Sequence, residues 1–416
     1  MIRFDQAGFI FRLLILAGGA LTAVFAMTEV SLSRKAEFSL LLVLSSIGLS
    51  LMVSSGNLIM LYLAIETATI PLYVMAGFKQ ADSKSVESGI KYFLFGGISS
   101  ALLLYGFTLL YGFAGTTRLY GMVEAMQRNG APATGVILAS ILVLAGFTFK
   151  ISAVPFHFWA PDVYEGSPTP VAGFLSTVSK AAAFAALIRV LVNAFGVGAS
   201  DAWMVIIAII AAASMFTGNL LAIPQKDFKR MIAYSSIAQA GYVLVGMAAG
   251  SDFGFSGAVY YLVAYLVTNL AVFAIINWVE SSSGSTAISA FAGLNRRSPG
   301  MALLMMIALL SLGGVPPFGG FFAKILVFGA AVKADMVWLA VLGIINSVIG
   351  LYYYLRVIVA MYMRKSETPV PVHADLGVRL HLARLLDAPF GVAVFDVLRI
   401  DHDVMRQDTR LAGVLV

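Results

Sequence analysis

Eleven stretches of about 20 mainly apolar residues follow one another along this 416-residue chain. Each is long enough to cross the hydrocarbon core of a bilayer as a helix, the form in which an apolar run satisfies its own backbone polar groups in lipid. The runs lie at about 7–27, 37–55, 57–77, 88–113, 134–154, 168–195, 202–222, 228–250, 254–279, 300–330 and 336–363. Charged residues make up 12% of the chain, against about 25% in soluble domains. The predicted fold is therefore an all-α polytopic membrane bundle. Met1–Gln6 leads into the apolar run Ala7–Met27 without a small-residue cleavage site, which predicts a true span and not a signal peptide.

Loop charges alternate in phase with the runs. One side carries Arg34, Lys35, Lys79, Lys84, Lys91, Lys226, Lys229, Arg230, Arg296, Arg297, Arg364 and Lys365; the other carries Arg3, Arg118, Arg128 and Lys333. The positive-inside rule makes the first side cytoplasmic and puts the N-terminus outside. The net charge of +6 reads as this asymmetry and not as a nucleic-acid footprint. The chain has no cysteine, which excludes disulfides, cysteine-ligated iron–sulfur clusters and thiol chemistry within it. Four scattered histidines argue against a histidine metal site.

Against this apolar background four ionisable residues stand inside spans: Glu66, Lys150, Lys180 and Lys324. A charge at the centre of a bilayer helix costs about 2.5–3.5 kcal/mol on insertion scales. Lys150 precedes Pro155 in Lys150-Ile-Ser-Ala-Val-Pro155-Phe-His157-Phe-Trp159, and Lys324 follows Pro316-Pro317. A proline inside a span frees a carbonyl that lipid cannot satisfy, so the fifth and tenth runs are expected as broken helices. Pro-broken helices five spans apart cross in opposite directions, which predicts an inverted repeat with ion sites near its breaks.

Proton relay suits these residues. An ammonium taken out of water gives up its proton more readily, and an approaching carboxylate restores its hold. A thousandfold change in proton affinity is worth about 4 kcal/mol, and moving one charge across about 150 mV costs about 3.5 kcal/mol, so a movable Glu–Lys pair is matched to the task. The alternative is a fixed salt bridge, but one carboxylate cannot pair with three lysines. Arg189 and Arg356 lie nearer span ends and are expected to snorkel. His157 suits either a proton path or a structural hydrogen bond. Lys229, in Lys226-Asp-Phe-Lys229-Arg230, suits either a positive-inside anchor or a proton entry.

Residues 365–416 differ in kind: they are rich in Asp, Arg and His, and contain no 18-residue apolar run. They are expected to be a cytoplasmic tail separate from the transmembrane domain of residues 1–364, or the product of a frameshift near residue 366.

Lys150-Ile-Ser-Ala-Val-Pro-Phe-His-Phe-Trp-Ala-Pro-Asp162-Val-Tyr-Glu165-Gly resembles the signature of the antiporter-like subunits of respiratory complex I. The Asp-Val-Tyr-Glu-Gly phrase points to the subunit N branch and not to L or M. Glu66, Lys91-Tyr-Phe-Leu, Lys180-Ala-Ala, Lys229-Arg-Met-Ile-Ala-Tyr-Ser-Ser, Leu312-Gly-Gly-Val-Pro-Pro-Phe-Gly-Gly-Phe-Phe-Ala-Lys324 and Leu351-Tyr-Tyr-Tyr-Leu-Arg356 follow in the order of that family, so the resemblance covers about residues 5–364. It implies a fourteen-helix bundle of which this chain begins at the third helix, with two N-terminal helices and the last one not matched. It implies a translocase subunit of NADH:quinone oxidoreductase in the bacterial inner membrane, beside other membrane-arm subunits, with no nucleic-acid partner. The chain itself would hold no cofactor, with NADH, FMN, iron–sulfur clusters and quinone in other subunits. By the resemblance Glu66 is the carboxylate of a pair, Lys150 its broken-helix lysine, Lys180 the connecting lysine and Lys324 the lysine of the second half-channel. Two rivals share much of this pattern: a subunit of an Mrp-type cation/proton antiporter, and a structural assembly subunit that pumps nothing.

Overall fold

In a computed structural model of the protein, which describes residues 2–29, 32, 34–195 and 202–365, the apolar runs are helical. The helices are α1 (Gln6–Thr28), α2 (Lys35–Met52), α3 (Leu58–Ala76), α4 (Ser83–Ala114), α5 (Met122–Arg128), α6 (Ala133–Lys150), α7 (Trp159–Gly166), α8 (Thr169–Phe174), α9 (Lys180–Val190), α10 (Ala202–Ala222), α11 (Phe228–Ala248), α12 (Asp252–Ser283), α13 (Leu294–Arg297), α14 (Pro299–Gly313), α15 (Gly319–Lys333) and α16 (Val337–Met363). The π-helical segment Leu175–Ser179 joins α8 to α9, so that Thr169–Phe195 is one continuous span. The tail, and with it the question of its reading frame, lies outside the described residues.

Among the described residues ten helices are long and apolar enough to cross a membrane. The tenth run, 300–330, is broken as expected, into the pair α14 and α15, each of 15 residues. The break falls where Pro316 and Pro317 withhold the N–H groups that would continue the helix. The fifth run likewise stops at Lys150 and resumes only as the short α7.

Side-chain caps fix the other boundaries and expose an internal repeat. Asn57 caps α3 and Asp227 caps α11, each accepting from the first-turn amides. Asn57 Nδ2 also donates to Thr117 (2.8 Å), while Thr286 Oγ1 donates to Asp227. The amide of Leu58 donates to Thr117 O (2.8 Å), and that of Phe228 to Thr286 O (2.9 Å). α4 and α12 both run for 32 residues and both end on a left-handed glycine, Gly115 at φ +67° and Gly284 at φ +69°. These pairs are spaced by about 170 residues, so the segment from α2 to the first break recurs from α10 to the second. Equivalent spans are five crossings apart and run in opposite directions.

Burial sorts the helices into a centre and a rim. Thr169–Phe195, α11 and α12 are 89%, 94% and 83% buried, whereas α1, α2, α4, α10 and α16 are 33–39% buried. The rim helices turn large apolar side chains outward, such as Phe93 and Ile98 on α4 and Ile344 and Val348 on α16. That is the surface a lipid solvent demands. α10 and α11 approach closely because Gly218 packs on the backbone of Ala238, where a Cβ would stand 2.5 Å from its nitrogen.

The two arginines expected to snorkel do not. Arg189 is paired with Asp5 at 2.7 and 3.0 Å and also donates to Tyr120 Oη (2.6 Å) and Val53 O (3.0 Å). Arg356 donates to Ile223 O (2.6 Å) and Gln225 O (2.5 Å) at the end of α10. Snorkelling would have left these carbonyls and Asp5 unmet, and the guanidinium fork reaches several of them at once. Removing one partner of a mostly buried pair costs about 3 kcal/mol or more. Arg189→Leu is therefore expected to lower resistance to unfolding in a detergent–SDS titration far more than Lys333→Leu, which breaks no ion pair among the described residues; equal midpoints for the two variants would refute this role.

Candidate functional site

Lys324 sits one and a half turns into α15, and its side chain points back across the break. Its Nζ donates to Leu312 O (3.2 Å) and Gly313 O (3.0 Å). These are the carbonyls whose helical donors would have been the nitrogens of residues 316 and 317, both prolines. Gly314 makes this possible: it takes φ +81°, and a Cβ there would stand 2.8 Å from Lys324 Cδ. The Tyr242 ring lies 4.7 Å from the ammonium and adds cation–π attraction.

The first break has the same frame. Ala153 N donates to Thr148 O (2.8 Å) and Ser152 N to Phe149 O (3.0 Å), with Ser152 at φ +58°; Val315 N donates to Leu310 O (3.0 Å) and Gly314 N to Ser311 O (2.9 Å). Both are Schellman-type endings. The lysines, however, lie on opposite sides of their breaks. Lys150 is the last residue of α6, and its Nζ donates to Thr69 Oγ1 on α3. Glu66 lies one turn before Thr69 and accepts from Ser100 on α4, whose hydroxyl is 3.1 Å from Tyr62 Oη. Among the described residues Glu66 and Lys150 make no ion pair, so the expected pair is drawn up in an open arrangement with Thr69 between.

Lys180 begins α9 at the end of the π-helical turn and is 2% exposed. Its Nζ donates to Ser236 O (3.0 Å) and Ser236 Oγ (2.8 Å) on α11. Lys229, at the start of α11, is 3% exposed and donates to Ser167 O (2.9 Å). His157 is buried within the first break against Phe158, ring to ring 4.3 Å, and makes no hydrogen bond to Lys150 among the described residues. Four lysines are thus held by neutral oxygens, and none has a carboxylate within 4.0 Å among the described residues. A fixed salt bridge does not account for any of them.

Several connecting groups went unread in the sequence. Gln239, one turn beyond Ser236 on α11, donates to Leu312 O (3.1 Å), the carbonyl that Lys324 also uses, and to Tyr354 Oη (3.1 Å). Ser236 and Gln239 therefore lead from Lys180 to Lys324. Beyond Lys324, Tyr242 Oη accepts from Asn219 Nδ2 (3.1 Å), which also reaches Asn346. Single polar residues in apolar runs were the available signal. Lysine drew attention because its cost is larger.

At the positively charged end, α7 is held by cations from two helices. Arg230 reaches Asp162 (2.7 Å) and Glu165 (3.0 Å); Lys91 reaches Asp162 (2.5 Å); Lys84 reaches Glu165 (2.8 Å). Trp159 anchors the other end of α7, stacked on Tyr92 at 4.5 Å and donating to Phe149 O (3.1 Å).

Residues 55–350 match the family described as NADH:quinone oxidoreductase/Mrp antiporter, transmembrane. NADH-quinone oxidoreductase subunit N of Moorella thermoacetica is 45% identical over 393 residues, 93% of this chain and 82% of that one. The chain belongs to the subunit N family. As a subunit N family member it also superposes on a chain of respiratory complex I from Thermus thermophilus with a TM-score of 0.80 at 33% identity, covering 95% of this chain and 86% of that one. A chain of an archaeal membrane-bound sulfane sulfur reductase gives a TM-score of 0.89 at 27% identity, over 96% and 82% of the two chains. The multi-pass membrane bundle read from the apolar runs is the fold of this family.

Burial raises the carboxyls of Asp162 and Glu165, but hydrogen bonds and charge from Lys91 and Arg230 on the first, and Lys84 and Arg230 on the second, outweigh it, so both titrate below the ordinary carboxylate range. A depressed folded-state value stabilises above the unfolded value, near pH 4, and that stabilisation is lost as pH falls through the folded one. Hydrogen exchange in residues 159–166 is expected to accelerate on acidification below about pH 4 relative to α12, after correction for the intrinsic rate. A corrected rate that does not change would show that the cations do not hold α7.

Proposed function

We propose that this subunit N family chain is a proton-translocating subunit in the membrane arm of a NADH:quinone oxidoreductase, driven by redox work in other subunits. NADH, flavin, iron–sulfur clusters and quinone belong to those subunits on this reading. The side bearing Lys79, Lys84, Lys226 and Arg230 is cytoplasmic, and the N-terminus is outside.

The observation that carries the reading is the set of buried lysines bonded only to neutral oxygens. A hydroxyl or carbonyl accepts from an ammonium, and the same hydroxyl can donate to the neutral amine, so the site tolerates both protonation states. Glu66 is placed to change the balance. When its carboxylate is free, it draws the Lys150 ammonium past Thr69 and holds the proton there. When Ser100 holds it, Lys150 is left to pass the proton on. Lys180 and Lys324, which have no carboxylate of their own among the described residues, take the proton on beside Ser236, Gln239 and Leu312 O. His157 and Lys229 border this line, Lys229 at its cytoplasmic end.

The Mrp-type reading shares the fold, but relatives at 45% and 40% identity carry the name NADH-quinone oxidoreductase subunit N, which favours the quinone-linked assembly. Lys150→Met in the purified complex, reconstituted in liposomes, is expected to assemble normally and to slow NADH-driven pumping roughly tenfold, the effect of about 1.4 kcal/mol on the limiting barrier. Native pumping by an assembled Lys150→Met complex would favour the structural reading.

A further inference from the structure

The buried face of α12 carries polar groups at one end of the helix and again beside the mid-span lysines. At its end Glu280 meets Lys79, whose Nζ is 3.9 Å from Glu280 Oε1 and 3.4 Å from Glu29 Oε1. The other Glu280 oxygen accepts from Thr169. Lys229 donates to Ser167 O (2.9 Å), two residues before Thr169, and Asp227 lies beside it, bonded to Thr286. The side chains of Glu29, Lys79 and Glu280 are 5%, 16% and 19% exposed, so the group is shielded but reachable by water through Lys79 and Glu280.

Asn277 lies within one turn of Glu280, and after the apolar segment 270–276 polar groups resume at Asn269, Tyr265 and Tyr261, all at most 6% exposed and all on one side of the helix by its 3.6-residue period. Asn277 Nδ2 donates to Phe25 O (3.4 Å). Asn269 Nδ2 donates to Ser176 Oγ (2.9 Å), one turn before Lys180, and to Tyr265 Oη (3.1 Å). Tyr261 donates to Gln239, which shares Leu312 O with Lys324. Tyr261 and Tyr265 also line a cavity of about 10 Å³ with Gln239, Thr268, Ser311 and Leu312, enough for about one water. Each buried polar group costs stability unless it is bonded, so a helix selected only for packing would carry fewer of them on its buried face.

We propose that Glu280 is the carboxyl that loads protons from the cytoplasmic side and that the polar face of α12 conducts them to Lys180 and Lys324. Lys79 is shared loosely between two carboxylates, so Glu280 can take a proton while Glu29 keeps the ammonium. Only O–H and N–H bonds are made and broken: a proton from water adds to Glu280, and an equal charge leaves by the relay to a neutral lysine amine. The inference rests on the proton-translocation reading above.

The test uses the whole complex in liposomes, with Glu280→Gln, Asn269→Leu and Lys150→Met compared. Glu280→Gln keeps the size and the Thr169 bond but cannot carry a proton; Asn269→Leu interrupts the polar face. Each is expected to slow NADH-driven proton pumping roughly tenfold. Native rates in Glu280→Gln and Asn269→Leu beside a failed Lys150→Met overturn this inference and leave the function standing; a native Lys150→Met removes the function, and this inference with it. If Glu280→Gln does not assemble, Glu280→Asp is read by infrared difference spectroscopy during turnover. A protonating-carboxyl band shifted from the wild-type position supports loading at this residue, and identical spectra overturn it.

Discussion

Two costs that lipid would punish separately cancel when they are brought together at the second break. Pro316 and Pro317 leave Leu312 and Gly313 with carbonyls that lack helical donors, and Lys324 carries three N–H donors into the buried interior. Joining them satisfies the carbonyls and solvates the ammonium. The bonds are to neutral dipoles, so the lysine is stabilised without being fixed in its charged form. A carboxylate at the same spot would bind the ammonium far more firmly and stop the exchange. The glycine at 314 follows from this bond, since both its backbone angle and the space for the Lys324 stem exclude a side chain.

The internal repeat shows how one scaffold gives two different sites. On the alignment set by Asn57 and Asp227, Glu66 corresponds to Ser236 and Thr69 to Gln239; on that set by Gly115 and Gly284, Ser100 corresponds to Asn269. In the first copy these positions surround Lys150 with a carboxylate within reach. In the second copy the carboxylate is replaced by a hydroxyl, and that hydroxyl holds Lys180. The first site can therefore be switched by its own Glu, while the second is a neutral conduit. The lysines differ in the same way: Lys150 precedes its break and donates to Thr69 on α3, whereas Lys324 follows its own and reaches back across it to Leu312 O and Gly313 O.

Much of this was legible in the chain. Twenty-residue apolar runs marked the spans, prolines marked both breaks, and the lysines marked the line between them, because each of these signals has a large energetic cause. Bonding partners were not legible. Arg189 near a span end looked like a snorkelling residue until its carboxylate, Asp5, was found 184 positions away in sequence and 2.7 Å away in space. Gln239, Asn269 and Glu280 carry no such signal, because a lone amide or a carboxylate near a span end is cheap to place, and only the packing shows that Gln239 meets Leu312 O, Asn269 meets Ser176 and Glu280 meets Thr169. The repeat was visible only as two prolines with lysines. Its strongest marks, the paired side-chain caps and the equal lengths of α4 and α12, emerge only once the helix boundaries are known.

The burial pattern explains why the line runs where it does. A rim helix must present apolar side chains to lipid over half its surface, so it can spare few positions for polar groups. Thr169–Phe195, α11 and α12 have no such obligation, being 83–94% buried. All their faces meet protein, and polar residues can be bonded on any of them. Lys180, Ser236, Gln239 and Asn269 lie on those three helices, whereas Glu66 and Lys150 come from α3 and α6, each half-buried. The first site thus lies between rim and centre, where a small movement of a half-buried helix alters the Glu66–Lys150 distance. The central three helices, packed on every side, are suited to carry the proton on without moving.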